Sequence, residues 1–439
     1  MKRAAFMTGV FVVLGIGMFI GFVEAGFSTV SFLSHTPQYK SALQYHLNAV
    51  AHLDEMPAAG VVNDDVKSYV SGLIPHPYVG FVKDPGKNAN INEYGWHGQT
   101  PITKKRPDTV VVAIFGGSVA ENTFLASADT LKNELQNSPV FSRKKIEIVS
   151  TALGGYKQPQ QALALEYMLA QGAEYDIVLN IDGFNEITLP GADNYWQKVA
   201  PIFPRSWNWY AQTLLNSKTV YAIVPLYVYQ DVRIALARFV ASLPFYHLQS
   251  AVWYWNTIDT QLDHLSALQT AKLQNMAMSN TTYQTTGPVS ELLPDQLMEY
   301  SVDVWKRSSM QMASLVSANH SVYVHVLQPT AYFRGSKQLT DGEKKRAFID
   351  EIIADDDTRL QLSFRQLAAL GYPKLVQTGH DELASNEYFV DATQIFSGQQ
   401  EDIYTDMCHY NQIGMNLFTT FLSKNIVAAY QEYTQTAVK

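Results

Sequence analysis

A single cysteine, Cys408, in 439 residues rules out an intrachain disulfide and a zinc site built on several thiolates. Charge is sparse as well. Charged residues make up 16% of the chain and sum to −8, and no run of Lys or Arg is long enough to follow a nucleic-acid backbone. Nucleic acid is therefore not an expected partner. Internal repeats and low-complexity tracts are missing, and with 47% hydrophobic residues the chain is able to bury a large core. Its length exceeds the usual single domain, which implies one large domain with an insertion, or two domains.

One stretch lacks charge altogether. Residues 4–23, AAFMTGVFVVLGIGMFIGFV, follow Met1-Lys2-Arg3 and are apolar or small throughout. As a helix they would span roughly 30 Å at about 1.5 Å per residue, the depth of a bilayer core. The basic residues ahead of them place that end in the cytoplasm and the remainder outside. A cleaved signal peptide is the competing reading, but the apolar run is long for one and Val23-Glu24-Ala25 is a poor cleavage site. The expectation is a single N-terminal membrane anchor over 1–27, with the bulk extracytoplasmic (periplasmic in a Gram-negative cell).

Residues 28–107 carry turn signals, IPHPYVGF, KDPGKN and NEYGWHG, and read as a lead-in packed on the domain that follows. TVVVAIF (109–115), IEIVSTA (146–152) and YDIVLNI (175–181) are continuous apolar, β-branched runs, as expected of strands buried on both faces. Helix patterns lie between them, at 129–137 with Asp129 or Thr130 as cap and at 158–171. This alternation predicts a doubly wound parallel sheet over 108–190 and 320–439, resumed by VYVHVLQP (322–329) and YFVDAT (388–393) and closed by a helix from Asn411. Segment 191–319 interrupts it as a mainly helical insertion holding six of the seven tryptophans. Its last helix shows one face of Leu297, Tyr300, Val304, Trp305, Met312 and Leu315.

In an open α/β sheet, ligands bind beyond the carboxyl ends of the strands. The first strand runs into Phe115-Gly116-Gly117-Ser118, where two glycines allow a tight turn that presents the Ser118 hydroxyl and its N–H. The second runs into Leu153-Gly154-Gly155-Tyr156 and the third into Asp182-Gly183-Phe184-Asn185-Glu186. Taken singly, each is also an ordinary turn, since Gly and Asn favour left-handed backbone. Near the C-terminus, Asp406 stands three residues before His409, a spacing at which a carboxylate can accept the imidazole N–H and fix its tautomer.

The ordered set FGGS, LGGY, DGFNE and DMCH resembles the four sequence blocks of SGNH (GDSL-type) hydrolases, and HPYVGF with NEYGWHG resembles the lead-in of membrane-anchored bacterial members. The likeness covers about 75–119, 146–187 and 388–425 and omits 191–319. It implies a three-layer α/β/α flavodoxin-like fold and a catalytic triad of Ser118 as nucleophile, His409 as base and Asp406 as its orienter. The Ser118 and Gly155 N–H groups and the Asn185 amide would form an oxyanion hole, with no metal and no cofactor. Two departures stand out: Gly117 replaces the family's Asp in the first block, and Glu186 replaces its Asp in the third.

Other residues carry plainer readings. Cys408 reads as buried packing, His325 as a satisfied core histidine and Asp355-Asp356-Asp357 as a solvated helix end. The tryptophans of the insertion read as core packing, with sugar stacking or a membrane interface as rivals. The expected function is an extracytoplasmic serine esterase acting on an acyl, chiefly O-acetyl, ester of a small molecule or polysaccharide. An O-acyltransferase acting on envelope or secreted polysaccharide and a catalytically silent glycan-binding envelope protein stay open beside it. The substrate class rests on family analogy and location alone.

Overall fold

The computed structural model describes residues 17–29, 72–195, 199–207, 217–242, 248–279, 292–347, 363–384 and 388–437. They divide into two compact units, one formed by 17–29 with 217–242 and 248–279, the other by the rest. The expected insertion 191–319 is thereby divided, because its first and last parts belong with the sheet. The triple aspartate at 355–357 lies outside the described residues.

The sheet-bearing unit opens with an antiparallel hairpin, β1 (Leu73–His76) and β2 (Gly80–Lys83). Five parallel strands follow: β3 (Thr109–Gly116), β4 (Lys145–Ser150), β5 (Ile177–Asp182), β6 (Val322–Leu327) and β7 (Tyr388–Asp391). Their spatial order is β4-β3-β5-β6-β7, so the winding reverses beside β3, the first strand of the sheet. Every residue of β3, β5 and β6 is buried, which accounts for the unbroken apolar runs in the sequence. The helices of this unit are α1 (Ser118–Asn137), α2 (Gln160–Ala170), α3 (Phe184–Leu189), α6 (Pro294–Ala318), α7 (Asp341–Ala347), α8 (Phe364–Thr378) and α9 (Gln412–Ala437).

Strand alternation sorts the core into two faces. Val322, Val324 and Val326 of β6 join Val110, Val112 and Ile114 of β3 against Leu131 of α1 and Phe418, Leu422 and Ile426 of α9. Leu327 points the other way, into a cluster with Phe184, Met298, Trp305, Leu367 and Tyr372 from α3, α6 and α8. The sheet is thus flanked by helices on both sides.

Two boundaries differ from the sequence reading. Helix α1 starts at Ser118 rather than at Asp129 or Thr130, since the chain leaves β3 and enters the helix directly after an extended Gly117. On α6, Leu297, Trp305 and Met312 are buried as expected, but Tyr300 is exposed and Ser301, Ser308 and Ser309 face inward. Ser301 bonds the Leu297 carbonyl of its own helix, and Ser309 meets polar groups on the sheet, its Oγ 2.7 Å from His325 Nδ1 and 3.0 Å from the Tyr323 hydroxyl. Among the described residues no helix is long and apolar enough to cross a membrane. Of the apolar segment 4–23 only 17–23 are described, as the start of a helix over 17–29.

The second unit is a hairpin of two long helices, α4 (Ser217–Ser242) and α5 (Gln249–Ser279), together with the helix over 17–29.

Candidate active site

The strand-end turns of β3, β4 and β5 meet where the sheet order reverses, and the segment before α9 joins them. Glycine is required at the first turn. At Gly116 (φ +140°) a Cβ would stand 2.1 Å from the Ile181 carbonyl oxygen and 2.6 Å from Ala120 Cβ. At Gly117 it would stand 2.5 Å from Asn185 Nδ2. Bare backbone here lets the β3 turn close onto the β5 turn, leaving Ser118 as the first residue of α1. An N–H at that position has no carbonyl inside its helix to bond and lies at the positive end of the helix dipole.

Ser118, His409 and Asp406 form one hydrogen-bonded chain. His409 Nε2 is 2.7 Å from Ser118 Oγ, and His409 Nδ1 is 2.6 Å from Asp406 Oδ2. Asp406 Oδ1 accepts the backbone N–H groups of Cys408 and His409, both at 2.8 Å. Burial opposes charge on Asp406, but His409 and these two N–H groups outweigh it and hold the carboxyl below its usual range. An ionised Asp406 requires the proton on Nδ1, which leaves the Nε2 lone pair facing the serine hydroxyl.

The Cys408 sulfur, 3.8 Å from Nδ1, and then the Asp406 carboxylate raise the His409 pKa above the ordinary histidine value, against the effect of burial. Burial also pushes the Cys408 thiol up. Near neutral pH the thiol is therefore uncharged, and the imidazolium is favoured chiefly by Asp406. Cys408 itself is buried in the apolar cluster with Trp305 and Leu327. Asp406, Cys408 and His409 offer ligand atoms within 4.8 Å of one another. Both Asp406 oxygens and both His409 ring nitrogens are already engaged by protein groups, so a metal there would displace the chain just described.

The two glycines of the second turn are not equivalent. Gly154 N–H donates to Glu121 Oε2 at 2.7 Å, whereas Gly155 (φ +78°) has no acceptor for its N–H among the described residues. Asn185 Nδ2 donates one hydrogen to the Tyr156 carbonyl at 2.8 Å. A carbonyl only accepts, so this contact orients the amide and leaves its second N–H unspent. A Cβ built on Gly154 would lie 3.8 Å from Ser118 Cβ, which puts the second turn against the serine.

Sequence reasoning missed the group that holds this turn. Glu121, one turn into α1 from Ser118, is buried; its Oε1 is 2.9 Å from His97 Nε2 and 3.1 Å from Lys83 Nζ, and its Oε2 takes the Gly154 N–H. Burial works against its charge, but His97, Lys83 and Gly154 together keep the carboxyl below its ordinary range. The lead-in motif supplies these partners. Asn92 Oδ1 accepts the N–H groups of Tyr94 and Trp96, Trp96 is fully buried, and the turn so formed aims His97 at Glu121. The only sequence signal was a carboxylate three residues after the serine inside an otherwise apolar turn.

Behind the third turn lies a second polar network. Asp182 Oδ1 accepts from Trp305 Nε1 at 2.8 Å and lies 2.9 Å from His325 Nε2, with all three side chains buried. His325 is the partnered core histidine the sequence suggested. Glu186 accepts from Gly183 N at 2.7 Å and from Gln161 Nε2 at 2.8 Å, and burial with the nearby Asp182 carboxylate pushes it up to about 8. These contacts pin both ends of the short segment that carries Asn185. Lys157, next to Tyr156, is also buried; its ammonium donates to the Phe203 carbonyl, and burial lowers it to about 8 against the pull of Asp193 and Glu186.

A serine hydroxyl on an oriented imidazole, beside two turns with free donors, is an arrangement suited to moving a proton and stabilising an oxyanion. No protein-family model and no curated protein matches this chain.

Proposed function

We propose that the chain is a membrane-anchored, extracytoplasmic serine hydrolase of the SGNH type, acting on an acyl ester through a covalent acyl-enzyme. One observation carries the reading: the Ser118–His409–Asp406 chain, with links of 2.7 and 2.6 Å, assembled from residues 291 positions apart. The flavodoxin-like strand order and the position of the site at its reversal point agree with that family. Gly117, a departure from the family's Asp, suits the close approach of Asn185, and Glu186, the other departure, caps the Gly183 N–H.

In this mechanism His409 Nε2 takes the Ser118 proton as Oγ adds to the ester carbonyl carbon. The carbonyl oxygen becomes an oxyanion, received by the N–H groups of Ser118 and Gly155 and the free N–H of Asn185. Collapse breaks the bond to the alcohol oxygen, which leaves with the proton from His409. Water then gives a proton to His409 and attacks the acyl carbon, releasing the acid and restoring Ser118. A sugar hydroxyl in place of water would make the same enzyme an O-acyltransferase. No metal or cofactor has a part in this cycle. An anchor over 1–27, with its apolar run at 4–23, would put the domain on the outer side of a membrane, where acylated envelope or secreted glycans are accessible.

Turnover of a short-chain p-nitrophenyl ester tests the proposal. Wild type should release p-nitrophenol, and Ser118→Ala should reduce kcat by roughly 10⁴–10⁶ while its circular dichroism stays unchanged. Undiminished turnover in that variant would refute it.

A further inference from the structure

The helical hairpin of the second unit carries large apolar side chains on its outside as well as between its helices. One charged pair is turned inward: Arg233 grips Asp259 through two contacts, Nε to Oδ1 at 2.8 Å and Nη2 to Oδ2 at 3.1 Å, and it also reaches Asp263, an exposed carboxylate, at 2.9 Å. Beside them Ala237, Val240, Val252 and Trp255 form a small buried cluster between α4 and α5. The outward surface of α4 carries an apolar stripe beside exposed Asp231 and Arg238. Tyr221, Val224, Val228, Val232 and Phe239 recur at steps of three, four, four and seven, one helical stripe, and each is 44–81% exposed. On α5, Tyr254, Ile258, Leu265 and Leu268 make a second exposed apolar stripe, with Thr257, Gln261 and His264 as its polar neighbours.

What covers this face is indicated by the helix over 17–29, which is docked on the same unit. Glu24 Oε2 accepts the N–H of Gln249 at 2.5 Å and Oε1 that of Ser250 at 2.8 Å, so a carboxylate from that helix caps the first turn of α5. Phe27 lies 5.3 Å from Trp253, ring centre to ring centre. N-terminal to Glu24, the large side chains of the same helix, Met18, Phe19 and Phe22, are 70–81% exposed. They continue the uncharged run from residue 4, whose length fits a bilayer core. The hairpin is therefore tied to the point where that run would leave the lipid, and tryptophan and tyrosine, the side chains favoured at a membrane surface, stand there as Trp253 and Tyr254.

We infer that the exposed apolar stripes of α4 and α5 lie in the interfacial layer of a lipid bilayer, making the hairpin a second membrane contact beside the anchor. It does not span. Asp231, Arg233 and Arg238 interrupt α4, as expected of a helix lying in the interface plane. The choice of lipid as occupant rests on the proposed anchor.

The test uses the full-length chain in phosphatidylcholine–phosphatidylglycerol nanodiscs. Val228→Cys, Val232→Cys, Leu268→Cys and Met18→Cys are labelled one at a time with an environment-sensitive fluorophore, Cys408 being buried from the reagent. Each site is then challenged with doxyl-labelled lipid and with aqueous iodide. The inference expects blue-shifted emission and strong lipid quenching at 228, 232 and 268, with iodide having little effect. Iodide quenching at those three with lipid quenching at Met18 would overturn the hairpin contact and leave the anchor intact. Loss of lipid quenching at Met18 alone would count against the anchor, while quenching retained on the hairpin would still support the contact. Protection of the hairpin sites from both quenchers would mean that protein, either a second copy or residues 30–71, covers the face, and would overturn the inference.

Discussion

Glu121→Ala separates positioning from chemistry at this site. Glu121 touches neither the serine hydroxyl nor the imidazole; it holds the Gly154 N–H at 2.7 Å and is itself held by His97 and Lys83. Truncation leaves three donors without their carboxylate, one of them the backbone N–H beside Gly155. At about 1–3 kcal/mol for each buried donor left unsatisfied, and with water able to enter the space, a stability loss of roughly 2–4 kcal/mol is expected. The catalytic loss has an upper bound, because removing one oxyanion donor outright costs about 10²–10³ in kcat. Gly155 is displaced rather than deleted, so kcat should fall about 10- to 100-fold with KM nearly constant. Glu121→Gln keeps the volume and the acceptor for Gly154 but turns an amide NH2 toward Lys83 and His97, so it should recover kcat while regaining only part of the stability. Because the Glu121 carboxyl is held below its ordinary range, the pairing persists above that range and is lost only as pH falls through the lowered pKa. The defect should then be flat across neutral pH. Steady-state kinetics on p-nitrophenyl acetate, with thermal melting in parallel, decide the matter. A folded Glu121→Ala enzyme with wild-type kcat, or one as inactive as Ser118→Ala, would refute this reasoning.

Two further substitutions address the remaining roles. The acid limb of kcat/KM should lie above the ordinary histidine value of ~6.5, since the raised His409 pKa means the neutral base appears only at higher pH. Asp406→Asn should move that limb to lower pH and drop the plateau by about 10⁴; an unchanged profile would remove Asp406 from the base. Asn185→Ala should lower kcat by roughly 10²–10³ with little effect on KM, whereas a change confined to KM would make Asn185 a ground-state binding group.

The strands were legible because each is buried on both faces and so reads as an unbroken apolar run; β3, β5 and β6 are the clearest cases. The turns carrying Ser118, Gly155 and Asn185 stood out because strand ends in this sheet converge by topology, whereas the choice of Gly155 over Gly154 rested on the family resemblance and Asp406 and His409, which lie beyond β7, on their spacing and that resemblance. The start of α1 was harder to place. Its first turns point Glu121 and Thr123 inward, and both are buried without breaking the helix because each has a local or nearby acceptor or donor. The His97–Glu121 pair was not readable, since nothing in the spacing of 24 residues marks a contact between a lead-in turn and a helix. The same holds for α6, whose inward serines look solvent-facing until Ser309 is seen to meet His325 on the sheet.

The central claim, a serine made nucleophilic by His409, is tested most directly by covalent labelling of the full-length protein with a fluorophosphonate probe and mapping of the adduct by peptide mass spectrometry. The account predicts a single adduct on Ser118, abolished in Ser118→Ala, strongly slowed in Asp406→Asn, and faster as pH rises through the His409 pKa. A folded protein that takes no label, or takes it on another serine at an unchanged rate when Ser118 is replaced, would contradict it.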